Sequence, residues 1–123
     1  MVDLGPNYFA PTILTNVDTK SLIWCTETFG PVVAVKTFDT EEEALALAND
    51  TATGLASYFC TNDLSRTFRF AAALENGIVG VNEGIISNVA APFGGVKESG
   101  IGREGSVTGI NAYLETKYIF LNA

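Results

Sequence analysis

Leu55-Ala56-Ser57-Tyr58-Phe59-Cys60, the helix-spaced residues 64–75, and Ile78-Val79-Gly80-Val81-Asn82 decide the fold. The two flanking runs are short, apolar and rich in aromatic or β-branched residues, which is the composition of strands. Between them Leu64, Phe68, Ala71, Ala72 and Glu75 recur at helical spacing. Asn62 or Asp63 stands where the helix needs an N-cap. Asn76-Gly77 stands where it should stop, with the glycine supplying a left-handed residue. A strand, a helix and a second strand in this order imply parallel pairing through a right-handed crossover.

The same pattern lies upstream. Val32-Val33-Ala34-Val35-Lys36-Thr37-Phe38 reads as a strand. Thr40, with Glu43 three residues on, forms a capping box, and Glu41-Glu42-Glu43 suit the positive end of a helix dipole. Ala44, Leu47 and Ala48 give that helix an apolar face, and it should end before Gly54. The expected class is therefore α/β, a βαβαβ parallel-sheet unit. Further upstream Pro6, Pro11 and Pro31 punctuate irregular chain, with Tyr8-Phe9 and Thr12-Ile13-Leu14 as short extended segments. Parallel strands this apolar are normally covered on both faces, and two helices cover one.

Downstream the character changes. Residues 83–105 hold Gly84, Gly94, Gly95, Gly100, Gly102 and Gly105 with little periodicity. They follow the C-terminal end of a parallel strand, where α/β sheets place their sites. The tail from Tyr113-Leu114 to Phe120-Leu121 alternates imperfectly and ends apolar, as a last strand seeking a partner from another domain or subunit. The expected division is residues 1–111 as a partial catalytic domain and 112–123 as a tail strand.

Composition narrows the function. Of 123 residues, 47% are apolar and 17% charged, which excludes disordered polymer. Mean hydropathy is +0.24, high for a soluble chain and in keeping equally with a piece that packs on more protein and with a very well-buried small domain. A net charge of −7 argues against nucleic-acid binding, since phosphate backbones are repelled. No apolar run reaches bilayer length. Met1-Val2-Asp3-Leu4-Gly5-Pro6 carries neither the basic start nor the apolar core of a secretory signal. The chain reads as cytoplasmic, with a mitochondrial location open if a complete precursor carries a transit peptide.

Candidate chemistry is sparse. There is no His, so the usual general base is missing. Cys25 and Cys60 have no paired spacing, which excludes a zinc knuckle and a disulfide framework. Neither has a neighbouring cation in sequence to lower its thiol pKa, and both are expected to be buried structural thiols. No catalytic residue and no metal ligand is expected from this chain. Glu27-Thr28-Phe29-Gly30-Pro31 sets an acid and an aromatic around a forced turn; by itself it reads first as a plain loop with a buried Phe. Gly100-Ile101-Gly102-Arg103-Glu104-Gly105 spells a dinucleotide fingerprint, but no strand precedes it. A close-packed loop whose glycines take unusual backbone angles is the better reading.

Taken in order, the pieces carry more. Tyr8-Phe9-x-Pro11-Thr12, Glu27-x-Phe29-Gly30-Pro31, Gly54-Leu55-Ala56, Gly77-x-Val79-x-Val81-Asn82 and Pro92-Phe93-Gly94-Gly95-x-Lys97-x-Ser99-Gly100-x-Gly102-Arg103-Glu104 together resemble the aldehyde dehydrogenase superfamily. The likeness runs from about Gly5 to the end and corresponds to the last quarter of a typical member. Asn82-Glu83-Gly84-Ile85-Ile86-Ser87, Gly102-Arg103-Glu104-Gly105-Ser106 and Tyr113-Leu114-Glu115-x-Lys117-Tyr118 are most similar to the succinate-semialdehyde group.

The resemblance implies an NAD- or NADP-dependent oxidation in which a cysteine thiolate adds to the aldehyde and the thiohemiacetal gives up hydride. A glutamate-activated water then releases the acid. The nucleophile, the base and the coenzyme turn have no counterpart in this chain. By the same resemblance Glu27 binds the nicotinamide ribose, Phe29 packs beside the nicotinamide, Phe93 lines the aldehyde funnel and Ser87 helps hold a distal substrate carboxylate. The tail resembles an oligomerisation strand that pairs across a subunit boundary. The partners implied are a small aldehyde and the rest of the dehydrogenase or a homo-oligomer, with no nucleic acid and no membrane. Two other readings stay open: a catalytically inactive self-association module, and a fragment of a different aldehyde dehydrogenase subgroup.

Overall fold

Residues 5–122 are described by the computed structural model, so the leader reading of Met1-Val2-Asp3-Leu4 lies outside them. The chain divides into two units, Met1–Glu43 and Ala44–Ala123.

In the first unit, β1 (Thr12–Thr15) and β2 (Val32–Val35) form a parallel ladder, with Thr12 opposite Val32 and Thr15 opposite Val35. β2 stops three residues short of the expected Phe38. Its partner ends there, because Asn16 turns into the left-handed region at φ 54° and leaves nothing to pair with. Between the strands a single turn, α1 (Leu22–Cys25), was not legible in the sequence. A local knot at Asp18 starts it: the Asp18 carboxylate accepts from Lys20 N at 2.9 Å and its carbonyl accepts from Ser21 Oγ at 2.6 Å. α2 (Glu41–Asn49) opens on the expected capping box. Glu43 N donates to Thr40 Oγ1 at 3.1 Å, while the Glu43 carboxylate reaches one residue further back, to Asp39 N at 2.8 Å.

The second unit contains the strand–helix–strand element read from the sequence. β4 (Ala56–Phe59) and β5 (Ile78–Val81) pair in parallel, Ala56 with Ile78 through Phe59 with Val81, across α3 (Leu64–Ala73). Asp63 is the N-cap, its carboxylate accepting from Ser65 N and Arg66 N at 2.8 and 3.1 Å. A short antiparallel pair joins β3 (Thr53–Gly54) to β6 (Val96–Lys97), drawing the middle of the glycine-rich segment back onto the domain.

The expected α/β class with parallel strand pairs stands, β2 pairing with β1 and β4 with β5. Two local features depart from the sequence pattern. The apolar stripe read on α3 is its outer face, with Leu64 71% and Phe68 69% exposed. The helix packs instead through Phe70, whose ring lies 5.3 Å from that of Phe59, and through Leu74, which is buried. Helical spacing identifies stripes but does not say which one faces inward. Gly77 is not left-handed. α3 ends at Leu74 in extended backbone, and Gly77 is glycine because a Cβ would overlap the Gly94 carbonyl.

Residues 114–122 form no ladder among the described residues, and Tyr118, Ile119, Phe120 and Leu121 are exposed. A strand exists only against another backbone. Val17 and Leu74 are the only apolar side chains buried among the described residues. The accessible surface is 10082 Å², against about 6,400 Å² for a folded monomer of this mass.

Candidate functional site

Glu27 and Phe29 lie on a double turn leading into β2. Gly30 N donates to Thr28 O at 3.0 Å and Val32 N to Gly30 O at 2.9 Å, so Phe29 and Pro31 each sit at the centre of a three-residue turn. Thr12 N then donates to Pro31 O at 2.8 Å and joins the turn to the β1–β2 ladder. Two tight turns in series leave Phe29 projecting, 95% exposed, with the Glu27 carboxylate exposed two residues away. The carboxylate takes no hydrogen bond or ion pair from the described residues, so both its oxygens are available as acceptors. An ionised carboxylate of this kind makes short, charge-assisted bonds to hydroxyl donors. A bare aromatic face beside it suits a flat ring.

Phe93 and Ser87 lie in the glycine-rich segment of the second unit. Asn82 turns the chain out of β5 at φ 56°, and its amide serves as an extra rung beside the β4–β5 ladder. Asn82 Oδ1 accepts from Thr61 N and its Nδ2 donates to Thr61 O, both at 2.8 Å. Past this exit Glu83 folds its carboxylate onto Gly84 N and Ile85 N. Ser87 follows as an exposed residue on irregular backbone. Phe93 and Glu104 then exchange both backbone bonds at 2.9 and 2.7 Å, closing residues 93–104 into a loop.

Within that loop Gly100 and Gly102 take φ values of +103° and +110°, which a side chain resists, as the glycine pattern suggested. Arg103 fills the loop from inside, its Nη1 donating to Gly95 O and Gly102 O at 2.7 Å each. Ser99 Oγ accepts from Gly54 N at 2.9 Å and ties the loop to β3. Lys97 reaches the other way, its ammonium donating to Asn49 O at 2.9 Å and pairing with Glu75 at 2.5 Å. Both cations are thus engaged by carbonyls and a carboxylate. Phe93, 40% exposed, forms one wall of a cavity of about 320 Å³ that Arg103, Glu104 and Tyr113 also line.

The geometry gathers the predicted residues in part. Glu27 and Phe29 share one turn, and Phe93 shares the cavity wall with the loop glycines. Ser87 belongs to the same segment as Phe93 but does not line that cavity. Lys97, Ser99 and Arg103 were quoted in the sequence only for their likeness to a motif. The one local hint was the pair Gly100 and Gly102 just before Arg103.

Neither cysteine is buried as expected. Cys25 Sγ donates to Thr19 O at 3.2 Å. Neither thiol has a hydrogen-bonded base or cation among the described residues, as a nucleophile would need. No helix among the described residues is long and apolar enough to cross a membrane.

The profile of the aldehyde dehydrogenase family matches residues 2–119. The chain is 57% identical over 116 residues to a mitochondrial succinate-semialdehyde dehydrogenase of Homo sapiens, covering 94% of this chain and 22% of that protein. It is 55% identical over 118 residues to a glutarate-semialdehyde dehydrogenase of Pseudomonas aeruginosa, covering 96% of this chain and 24% of that one. Among solved structures, an NADP-dependent enzyme of E. coli superposes with a TM-score of 0.89 at 54% identity, covering 96% of this chain and 24% of that one. The chain therefore spans just under a quarter of the length of the relatives it matches.

Proposed function

As the chain belongs to the aldehyde dehydrogenase family, we propose that it is the C-terminal segment of an NAD(P)-dependent enzyme oxidising a short semialdehyde, succinate semialdehyde first, to the dicarboxylate. The carrying observation is the 55–57% identity, over nearly the whole chain, to two dehydrogenases of ω-carboxyl aldehydes. In this reading the segment positions and encloses, and the bond-making thiol and the base come from elsewhere in the enzyme.

The turn at Glu27 fits a nicotinamide coenzyme, because it offers an unengaged carboxylate and an uncovered ring two residues apart. Glu27 would accept hydrogen bonds from the ribose hydroxyls and fix the sugar. Phe29 would cover one face of the nicotinamide and exclude water from it. The coenzyme supplies the hydride acceptor when bound. Phe93 would form an apolar side of the aldehyde funnel, and Ser87 would donate its hydroxyl to the carboxylate at the far end of the substrate. Residues 112–123 would pair across a subunit boundary, since their apolar side chains have no cover within the chain. The proposed compartment is the cytoplasm, or the mitochondrion where a transit peptide precedes the segment.

In a complete enzyme carrying this segment, succinate semialdehyde with NAD+ or NADP+ should give reduced nicotinamide, read at its absorbance. Ser87→Ala should raise KM for that aldehyde several-fold and spare an uncharged aldehyde. An unchanged selectivity would point to a different substrate class. The isolated chain should give no turnover above a protein-free blank.

A second reading has its own support in the exposed tail: a self-association element without catalysis. A concentration-independent monomer in size-exclusion chromatography would sink it.

A further inference from the structure

We infer that Lys97 is a positioning residue, which holds the Phe93 wall of the aldehyde site from the opposite side of the 93–104 loop. The inference rests on the aldehyde-oxidising reading above. Lys97 sits in the left-handed region at φ 54°, a conformation that glycine adopts more readily. An ammonium has three donors. Here the surroundings offer it three acceptors: Asn49 O at 2.9 Å, Thr51 O at 3.2 Å and the Glu75 carboxylate at 2.5 Å. Those acceptors belong to a rigid joint. Asn49 ends α2, and its side chain donates to Ala73 O at the end of α3 and accepts from Glu75 N, both at 2.9 Å. One lysine therefore ties the loop to the C-terminal ends of two helices, where a cation also suits the helix dipoles.

The tie is transmitted to Phe93 through a short strut. Between the two residues lie Gly94, Gly95 and Val96. Gly94 and Gly95 have no side chains to anchor them; a Cβ on Gly77 would overlap the Gly94 carbonyl, and one on Gly95 would come within 3.1 Å of Gly54 O, so the strut lies directly against the domain. The strut cannot yield toward the domain, and Lys97 stops it from moving away. A glycine at position 97 would take the same backbone without strain but would supply no charge, so the ammonium is the functional part.

The test uses a complete dehydrogenase carrying this segment, with K97M, K97G and K97R. Readouts are the KM for aldehyde, the KM for coenzyme, and amide exchange at Phe93 and Glu104, whose N–H groups close the loop. K97M and K97G should raise aldehyde KM about tenfold and speed both exchanges, with coenzyme KM within about twofold and K97R largely restored. An aldehyde KM untouched by K97M and K97G, or a coenzyme KM rising in step with it, would overturn the inference. If K97M and K97G fail to fold, E75Q removes only the ion pair and should still raise aldehyde KM about threefold; no change there overturns the inference equally. A parent enzyme that oxidises no aldehyde defeats the functional reading instead. The exchange rates then decide the clamp, with faster exchange in K97M supporting it and unchanged rates overturning it.

Discussion

The turn at residues 27–32 and the loop at residues 93–104 are held by opposite means. The turn is made by its own backbone, with bonds that span two residues. The loop closes on itself through Phe93, Glu104 and Arg103, but it is anchored by residues far away in sequence: Ser99 on Gly54, Lys97 on Asn49, and Glu98 N on Ala52 O at 3.0 Å. Phe29 stands 95% exposed and Phe93 only 40%. A locally built turn can present a side chain with nothing behind it, whereas a wall needs backing. Substitutions near the turn should therefore change binding without stability, and those in the loop should change stability first.

Gly77→Ala should have the largest effect, because its methyl would occupy the space of the Gly94 carbonyl and approach the Gly95 Cα at 2.9 Å. Overpacking against backbone costs about 3 kcal/mol or more where nothing can move aside. Urea unfolding of the complete enzyme should show it, or the variant should fail to accumulate as soluble protein. A variant with unaltered midpoint would mean the loop gives way more easily than its packing implies.

Arg103→Ala comes next. It leaves two carbonyls without their charged donor, at about 2 kcal/mol for bonds of this type. Both bonds leave one nitrogen, Nη1, on a longer and stiffer side chain than lysine's, so R103K should recover part of the loss. Full recovery would reduce Arg103 to a point charge.

Glu27→Gln probes the other region. Coenzyme affinity by calorimetry should fall about tenfold, with the melting temperature unchanged within a degree. A matching loss of stability would break the contrast between turn and loop.

The smallest effect belongs to the framework that neither region uses. The amide of Arg66, then that of Ser65, holds the Asp63 carboxyl below its ordinary value of 3.8, and the nearby Arg66 and Arg69 charges add to this. A depressed acid stabilises the fold above its unfolded pKa, and that contribution disappears as pH falls through the lowered value. Asp63→Asn should accordingly flatten the acid limb below about pH 4, leaving the melting temperature at neutral pH within a few degrees.

Local chemistry was readable from the residues. Thr40 with Glu43, Asp63 as an N-cap, the β4–α3–β5 order and the left-handed glycines at 100 and 102 each depend on contacts within a few residues. Glu27 and Phe29 belong to the same class, since Gly30 and Pro31 make their turn whatever surrounds it. The position of Ser87 outside the Phe93 cavity was not readable, because five irregular residues separate the two and no periodicity relates them.

Only tertiary structure decided the remainder. Whether Leu64 and Phe68 or Phe70 and Leu74 face inward depends on where β4 lies, and both stripes satisfy helical spacing. Gly77 reads as a helix stop until the Gly94 carbonyl is seen beside it. The parallel partner of β2 is residues 12–15, a contact across sixteen intervening residues that no local pattern announces. Lys97 appears in sequence as one cation among glycines, and its role exists only because α2 and α3 end at the same place. Short-range bonds are encoded by neighbours, whereas long-range ones cost loop closure and are set by the whole chain at once.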